Sequence, residues 1–171
     1  EHSIFRVGVV QMVSGPAVAD NLREAAKLIE QAAGEGAQII ALPEYFAIMG
    51  MKDTDKVAAC EKYGNGPIQD FLREIAARFK MWLVAGSIPL AGDNENKVRN
   101  SCLALSDAGE IVARYDKIHL FEFSSVTEQY SEARTIEPGN QVIMFDSPFG
   151  KIGLSICYDL RFPELYRAMH G

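Results

Sequence analysis

Apolar residues along this chain recur at two different spacings, and together they predict strands that alternate with helices. Continuous apolar runs at residues 6–12, 38–42 and 82–88 predict strands, the first of them buried. In the two intervals between these runs, apolar residues recur at the spacing of one helix face. Asp20 is a candidate N-cap for the first helix, and Pro67 suits the first turn of the second. This order predicts a sheet covered by helices.

The second half of the chain predicts antiparallel strand pairs. Residues 101–105 and 111–115 flank an Asp-Ala-Gly sequence typical of a hairpin turn. Residues 142–145 and 151–156 flank a second turn, and residues 162–170 predict a helix. Antiparallel pairs that follow a parallel start predict an α/β fold with mixed strand directions.

The composition is that of an ordinary globular domain. Of the 171 residues, 48% are hydrophobic and 23% are charged, so we expect one domain spanning residues 1–171. The formal net charge of -6 argues against nucleic acid as a partner, because affinity for phosphates depends on Lys and Arg. No apolar run approaches the roughly 18–20 residues that cross a membrane. The first residues also lack the pattern of a secretory signal.

The cysteines and histidines further limit the chemistry. Three widely spaced cysteines, Cys60, Cys102 and Cys157, favour reduced thiols over disulfides, which predicts a cytoplasmic protein. Cys60 and Cys102 are interpreted as structural. The histidines lie far apart with no metal-binding spacing, so neither a metal nor a cofactor is expected.

Reactive or charged residues stand where three predicted strands end. Glu44, Lys117 and Cys157 each follow an apolar run, and side chains beyond the carboxyl ends of neighbouring strands converge. A carboxylate accepts the thiol proton, while an ammonium lowers the thiol pKa and stabilises an oxyanion. The backbone N–H of Tyr158 is a candidate second oxyanion donor. Residues 117–139 are weakly periodic and predict a long loop, which is often functional.

The same three residues also have ordinary interpretations. A cysteine after an apolar strand is more often a packed core residue. Glu44 equally suits a solvated loop acid, and Lys117 an exposed base. Periodicity alone therefore leaves catalytic and structural roles open.

Three sequence blocks carry a specific resemblance. Residues 42–46 (LPEYF), 115–121 (YDKIHLF) and 153–164 (GLSICYDLRFPE) resemble, in order and spacing, the signature blocks of the nitrilase superfamily, the carbon–nitrogen hydrolases. The resemblance implies an α-β-β-α sandwich that pairs into a homodimer or a higher homo-oligomer. Family domains continue well beyond the cysteine helix, so it also implies that this chain lacks the C-terminal part of the domain.

The resemblance assigns residues to an active site. It implies a catalytic triad of Glu44, Lys117 and Cys157. It also places a second active-site glutamate on Glu132, just before the segment Thr-Ile-Glu-Pro-Gly, with Glu128 as a nearby alternative. The sequence of the cysteine block resembles that of the amidase branch, whose members act on omega-amides of small dicarboxylates. The implied substrate is therefore a small-molecule amide, hydrolysed through a cysteine thioester.

Three further residues are candidates for substrate binding: Tyr158, Arg161 and His119. Arg161 suits a bidentate pair with a substrate carboxylate, or a structural ion pair. His119 is expected on the wall of the site; the alternative is a Cys157–His119 dyad of the papain type. Nitrilase or carbamoyl hydrolase activity, or a non-catalytic binding or assembly module, remain competing functions.

Overall fold

The computed structural model describes residues 4–170 and contains ten strands and four helices in that range. The strands are β1 (Val7–Val9), β2 (Ile39–Ala41), β3 (Trp82–Val84), β4 (Ile88–Ala91), β5 (Val98–Leu105), β6 (Ile111–Asp116), β7 (Glu122–Ser124), β8 (Gln129–Ser131), β9 (Met144–Ser147) and β10 (Gly150–Gly153). The helices are α1 (Val18–Gly34), α2 (Asp55–Ala58), α3 (Pro67–Phe79) and α4 (Pro163–Ala168). Short 3-10 turns cover Glu132–Arg134 and Cys157–Arg161.

Six strands form the main sheet, and their directions are mixed. Strands β1, β2 and β3 are parallel, and β3 then pairs antiparallel with β5. Strands β3 and β4 share one edge of β5. Strand β3 pairs with residues 104 and 105 of β5, and β4 pairs with residues 98–101. Strand β6 occupies the other edge of β5, also antiparallel. The long strand β5 therefore joins the parallel and antiparallel halves of the sheet.

Helices α1 and α3 cover one face of this sheet. Ile29 of α1 and Leu72 of α3 are fully buried in a cluster with Ile40, Leu83 and Leu103 of the strands. This apolar face stabilises both helices, since burying a leucine or isoleucine side chain contributes about 1.5–3 kcal/mol.

A hairpin and a helix pack on the opposite face. Phe145 of β9, Leu154 just after β10 and Leu165 of α4 belong to a second buried cluster, which also includes Cys102 and Tyr115 of the main sheet. The layers are thus helices, sheet, and a hairpin with its helix. The predicted α/β fold of the α-β-β-α type is confirmed.

Several local predictions require correction. Strand β1 is shorter than residues 6–12 and is not buried on both faces, because Val7 and Val9 are exposed. The α1 N-cap is Ala17, and Asp20 lies within the first helical turn, where a carboxylate still interacts favourably with the helix dipole. Residues 82–88 form two strands with a break between them.

The later segments also differ from the prediction in detail. The hairpin predicted at residues 142–156 is present, but its strands are β9 and β10, displaced by a few residues. The predicted long loop at residues 117–139 contains the small β7–β8 hairpin and a 3-10 turn. Within residues 4–170, no helix combines the length and apolar character needed to cross a membrane.

Candidate active site

Two of the predicted site residues follow strands that run in the same direction. Strand β2 is parallel to β3, β3 is antiparallel to β5, and β5 is antiparallel to β6. The carboxyl ends of β2 and β6 therefore point to one end of the sheet, where Glu44 and Lys117 follow them. This topology explains why residues 73 positions apart are hydrogen-bonded.

Lys117 is the buried centre of the cluster. Its side chain is 0% exposed, and its Nζ lies 3.0 Å from Glu44 Oε1. The same Nζ lies 3.1 and 3.0 Å from the two carboxylate oxygens of Glu132. Burial disfavours the ammonium, but the two carboxylates outweigh burial, so the pKa of Lys117 is raised above its usual value. Lys117 is therefore protonated throughout the neutral range.

Backbone contacts fix Glu132 beside Lys117. Its Oε2 accepts a hydrogen bond from the Phe121 N–H at 2.7 Å, and its own N–H donates to the Phe121 carbonyl at 3.0 Å. Glu128 is exposed, and its backbone pairs with Ser125 in the turn of the β7–β8 hairpin. The structure therefore brings Glu132, and not Glu128, to the cluster.

The turn that carries Glu44 has an unusual backbone. Tyr45, the next residue, has a φ of 51°, and its N–H donates to Ser87 Oγ at 3.0 Å. A Cβ at Gly86 would lie 2.0 Å from the Pro43 carbonyl oxygen, and Gly86 itself has a φ of 55°. The break between β3 and β4 thus supports the glutamate turn and explains why that apolar run is not one strand. Strained backbone of this kind is characteristic of functional sites.

Cys157 stands at the start of its 3-10 turn with a φ of 48°. It is exposed, unlike Cys102, which is buried in the core, and Cys60, which is partly buried. Although the residue is exposed, surrounding protein atoms partly desolvate its thiol, and this desolvation raises the pKa of Cys157. The Glu44 carboxylate raises the pKa further, and Lys117 lowers it by less. Lys117 lowers the thiol pKa, as expected, but desolvation and the Glu44 carboxylate outweigh it, so the pKa of Cys157 is raised overall. The raised pKa favours the thiol form of Cys157 at neutral pH.

Asp159 holds the cysteine turn against the lysine segment. Its fully buried carboxylate accepts bonds from Tyr115 Oη at 2.6 Å, the Ile156 N–H at 2.9 Å and the His119 N–H at 3.0 Å. His119 Nδ1 lies 2.7 Å from the same carboxylate, and its ring stacks on Phe162 with centroids 3.7 Å apart. These contacts hold the His119 ring in place beside the cysteine turn, and its role in substrate binding stays a prediction. In the described range no hydrogen bond joins His119 to Cys157.

Tyr158 and Arg161 occupy the surface of the same turn. The Tyr158 ring packs edge-on against Phe121 and Phe162, with centroids 5.3 Å away in each case. Its backbone N–H donates to no group among residues 4–170, which leaves it open to a ligand. Arg161 is exposed and forms no ion pair within that same part of the chain, so the structural ion pair considered for it is not observed.

Sequence reasoning missed two buried polar residues of the site. Asn100 Nδ2 donates to Glu44 Oε1 at 2.9 Å, and Asp159 makes the contacts described above. Two features of the sequence could have indicated these residues. Asn100 is a polar residue within the strand β5, and Asp159 lies in the cysteine block. No cluster of His, Cys, Asp and Glu suited to a metal ion occurs in the described residues.

The sequence was compared with known proteins. Residues 6–171 match the family described as Carbon-nitrogen hydrolase. The chain is 34% identical to the deaminated glutathione amidase of Yersinia enterocolitica over 96% of its length, and 38% identical to omega-amidase NIT2-B of Xenopus laevis over 94%. Its fold superimposes on Nit3 of Saccharomyces cerevisiae, a member of branch 10 of the nitrilase superfamily, with a TM-score of 0.81 and 30% identity over 94% of the chain. The chain belongs to the carbon–nitrogen hydrolase family.

The matched region is only part of each relative. The chain covers 58% of the Yersinia amidase, 57% of the Xenopus omega-amidase and 58% of Nit3. It thus spans a little over half the length of the proteins it matches. The signature-block resemblance is confirmed at the level of the family.

The contact between Gly86 and Pro43 predicts a position-specific effect. Gly64 also has a positive φ, of 87°, but a Cβ there would have no neighbour within 4 Å. Gly64→Ala should therefore cost about 1–3 kcal/mol of unfolding free energy from backbone strain alone. Gly86→Ala should cost more and should also change the alkylation rate of Cys157, because the glutamate turn must move. Urea unfolding and mass-resolved alkylation measure both, and equal effects of the two substitutions would contradict this account.

The raised pKa of Cys157 predicts a pH dependence. The thiolate is the reactive form, so alkylation of Cys157 by iodoacetamide should accelerate as the pH rises through its raised pKa. Glu44→Gln removes a charge that raises this pKa, so the profile should move to lower pH. Glu128→Gln makes the same charge change at an exposed position and should leave the profile in place.

Cys102 gives an internal reference for this measurement. Burial raises the pKa of Cys102 to about 12, so it should stay unlabelled in the folded protein. A Glu44→Gln profile that coincides with the parent profile would show that Glu44 does not act on the Cys157 thiol.

Proposed function

We propose that the protein carrying this chain hydrolyses the carbon–nitrogen bond of a small amide through an acyl-enzyme on Cys157. The observation that carries the proposal is the buried Lys117 bonded to both Glu44 and Glu132, whose charges act on an exposed cysteine. A nucleophile, a proton acceptor and a cation are the groups that acyl transfer needs. Family membership supports the same reaction class.

In the first step, the Cys157 Sγ–H bond breaks and its proton passes to the Glu44 carboxylate. The sulfur electron pair forms a bond to the amide carbon, and the C=O π pair moves onto oxygen. Lys117 has three ammonium hydrogens, of which the two carboxylates engage two, so the third is available for this oxyanion. The Tyr158 N–H is the second proposed donor.

The second step releases the amine and then the acid. The oxyanion re-forms the C=O bond, the C–N bond breaks, and the nitrogen takes the proton held by Glu44, so a primary amide yields ammonia. Glu44 then accepts a proton from water, whose oxygen attacks the thioester carbon. Breakage of the C–S bond releases the acid and returns the proton to the thiol. In this scheme Glu132 holds Lys117 in place and keeps it charged.

The substrate class follows from two observations. The matched relatives are described as a deaminated glutathione amidase and an omega-amidase. The exposed Arg161 lies on the same turn as Cys157, and its guanidinium suits a distal substrate carboxylate. We therefore propose small omega-amides of dicarboxylates as substrates, ahead of nitriles or carbamoyl compounds.

Replacing the nucleophile tests the reaction. Cys157→Ala should abolish ammonia release from a small omega-amide, with loss of at least about a thousandfold in kcat, while the circular dichroism spectrum is unchanged. Cys60→Ala removes a thiol that has no proposed role and should retain activity. Turnover of Cys157→Ala near the parent rate would disprove the acyl-enzyme assignment and favour a binding module.

His119→Asn separates the triad from a cysteine–histidine dyad. The substitution removes the ring that bonds Asp159 and stacks on Phe162, so the unfolding free energy should fall by about 1–3 kcal/mol. Turnover should remain measurable in the folded fraction. Activity loss equal to that of Cys157→Ala, without loss of stability, would instead support the dyad.

A further inference from the structure

Asn100 touches both partners of the glutamate–lysine pair. It lies on β5, the strand between β4 and β6, and is fully buried. Its side-chain Nδ2 donates to Glu44 Oε1 at 2.9 Å, and its backbone carbonyl accepts the Lys117 N–H at 2.9 Å. One residue of the central strand therefore sets the distance between two elements that are far apart in sequence.

The two oxygens of Glu44 differ in their contacts. Oε1 accepts both Asn100 Nδ2 at 2.9 Å and Lys117 Nζ at 3.0 Å. Oε2 accepts no hydrogen bond from a backbone N–H, amide, ammonium or hydroxyl group of residues 4–170, whereas a hydrogen bond between the Cys157 thiol and the Glu44 carboxylate contributes to the raised pKa of Cys157. Two donors on one oxygen restrict rotation of the carboxylate and leave the lone pairs of the other oxygen available for a proton.

The amide of Asn100 leaves one buried polar atom unsatisfied. Its Oδ1 is buried and has no hydrogen-bond partner in the described part of the chain. Exchanging Oδ1 and Nδ2 would direct the amide oxygen at a carboxylate, so the orientation with Nδ2 towards Glu44 is the favourable one. A buried leucine of similar shape would avoid the unsatisfied carbonyl. What the asparagine adds over leucine is its N–H donor to Glu44.

We propose that Asn100 is a positioning residue for the reaction: with Lys117 it fixes Glu44 Oε1, so that Oε2 is the oxygen that takes the Cys157 proton. This inference rests on the proposed function, because it assigns a geometry to the base of that reaction. Within residues 4–170, the charged groups that act on the thiol are Glu44, Lys117 and Glu132, and Asn100 affects the thiol through the first of them.

The test combines substitutions of Asn100 and Glu44, singly and together, and measures the pH dependence of Cys157 alkylation in each variant. Asn100→Leu keeps the volume and removes the donor, so the charge on Glu44 is less compensated and the pKa of Cys157 should rise further. The alkylation profile should move to higher pH by about half a unit or more. In a Glu44→Gln background the same substitution should produce no shift, because the charge through which it acts is absent. Asn100→Ala, which also lacks the donor, should repeat the result.

Ser101→Ala is the matched control. Ser101 is the next residue on β5, is equally buried, and bonds Asp116 at 2.5 Å instead of the site. It should leave the Cys157 profile unchanged. With an omega-amide as substrate, Asn100→Leu should lower kcat by about tenfold or more while KM stays within about twofold, because proton transfer is impaired and binding is not.

The outcomes separate this inference from the proposed function. A shift that depends on Glu44 supports the positioning role even if the parent protein hydrolyses no amide, in which case only the proposed function fails. The inference is overturned if Asn100→Leu leaves the profile in place or if its shift persists in Glu44→Gln. Loss of the folded state in both Asn100 variants would also overturn it, since Asn100 would then be a folding residue.

Discussion

Burial of the Lys117 ammonium is the constraint on which the arrangement of the site depends. A cation removed from water is stable only if opposite charges and hydrogen bonds replace its hydration, and here Glu44 and Glu132 do so. Removing one partner of such a buried pair typically costs about 3–5 kcal/mol. The end of β2, the end of β6 and the distant residue Glu132 must therefore come together whenever the chain folds. Together with desolvation of the thiol, the same three charges shift the pKa of Cys157.

Around this charged cluster the backbone departs from regular geometry where the chemistry is proposed to occur. Tyr45 and Cys157, both non-glycine residues, adopt positive φ angles, the first beside Glu44 and the second at the proposed nucleophile. Ser87 holds the first of these turns, and Asp159 holds the second. The apolar clusters on both faces of the sheet supply the rigidity that such local strain requires. Precise placement of a few polar groups thus depends on ordinary packing of the strands that carry them.

The fold class and the three central residues could be predicted from the sequence, while their interactions could not. Periodicity places Glu44 and Lys117 after strands, and the signature blocks select them and Cys157 from other acids, bases and thiols. Neither signal contains the register of β5, so the contact of Asn100 with Glu44 emerges only from the fold. The direction of the Cys157 pKa shift could not be predicted from the sequence for a related reason. It depends on the balance of burial and three nearby charges, which residue types alone do not determine.

The central claim is that Cys157 forms a thioester with the acyl part of an amide. It is tested most directly by mixing the protein with a small omega-amide, quenching in acid within the first turnovers, and locating adducts by peptide mass spectrometry. The account predicts that the peptide containing Cys157 gains the mass of the amide less ammonia, and that hydroxylamine removes the adduct. Consumption of the amide with an unmodified Cys157, or with the adduct on Cys60, would contradict it.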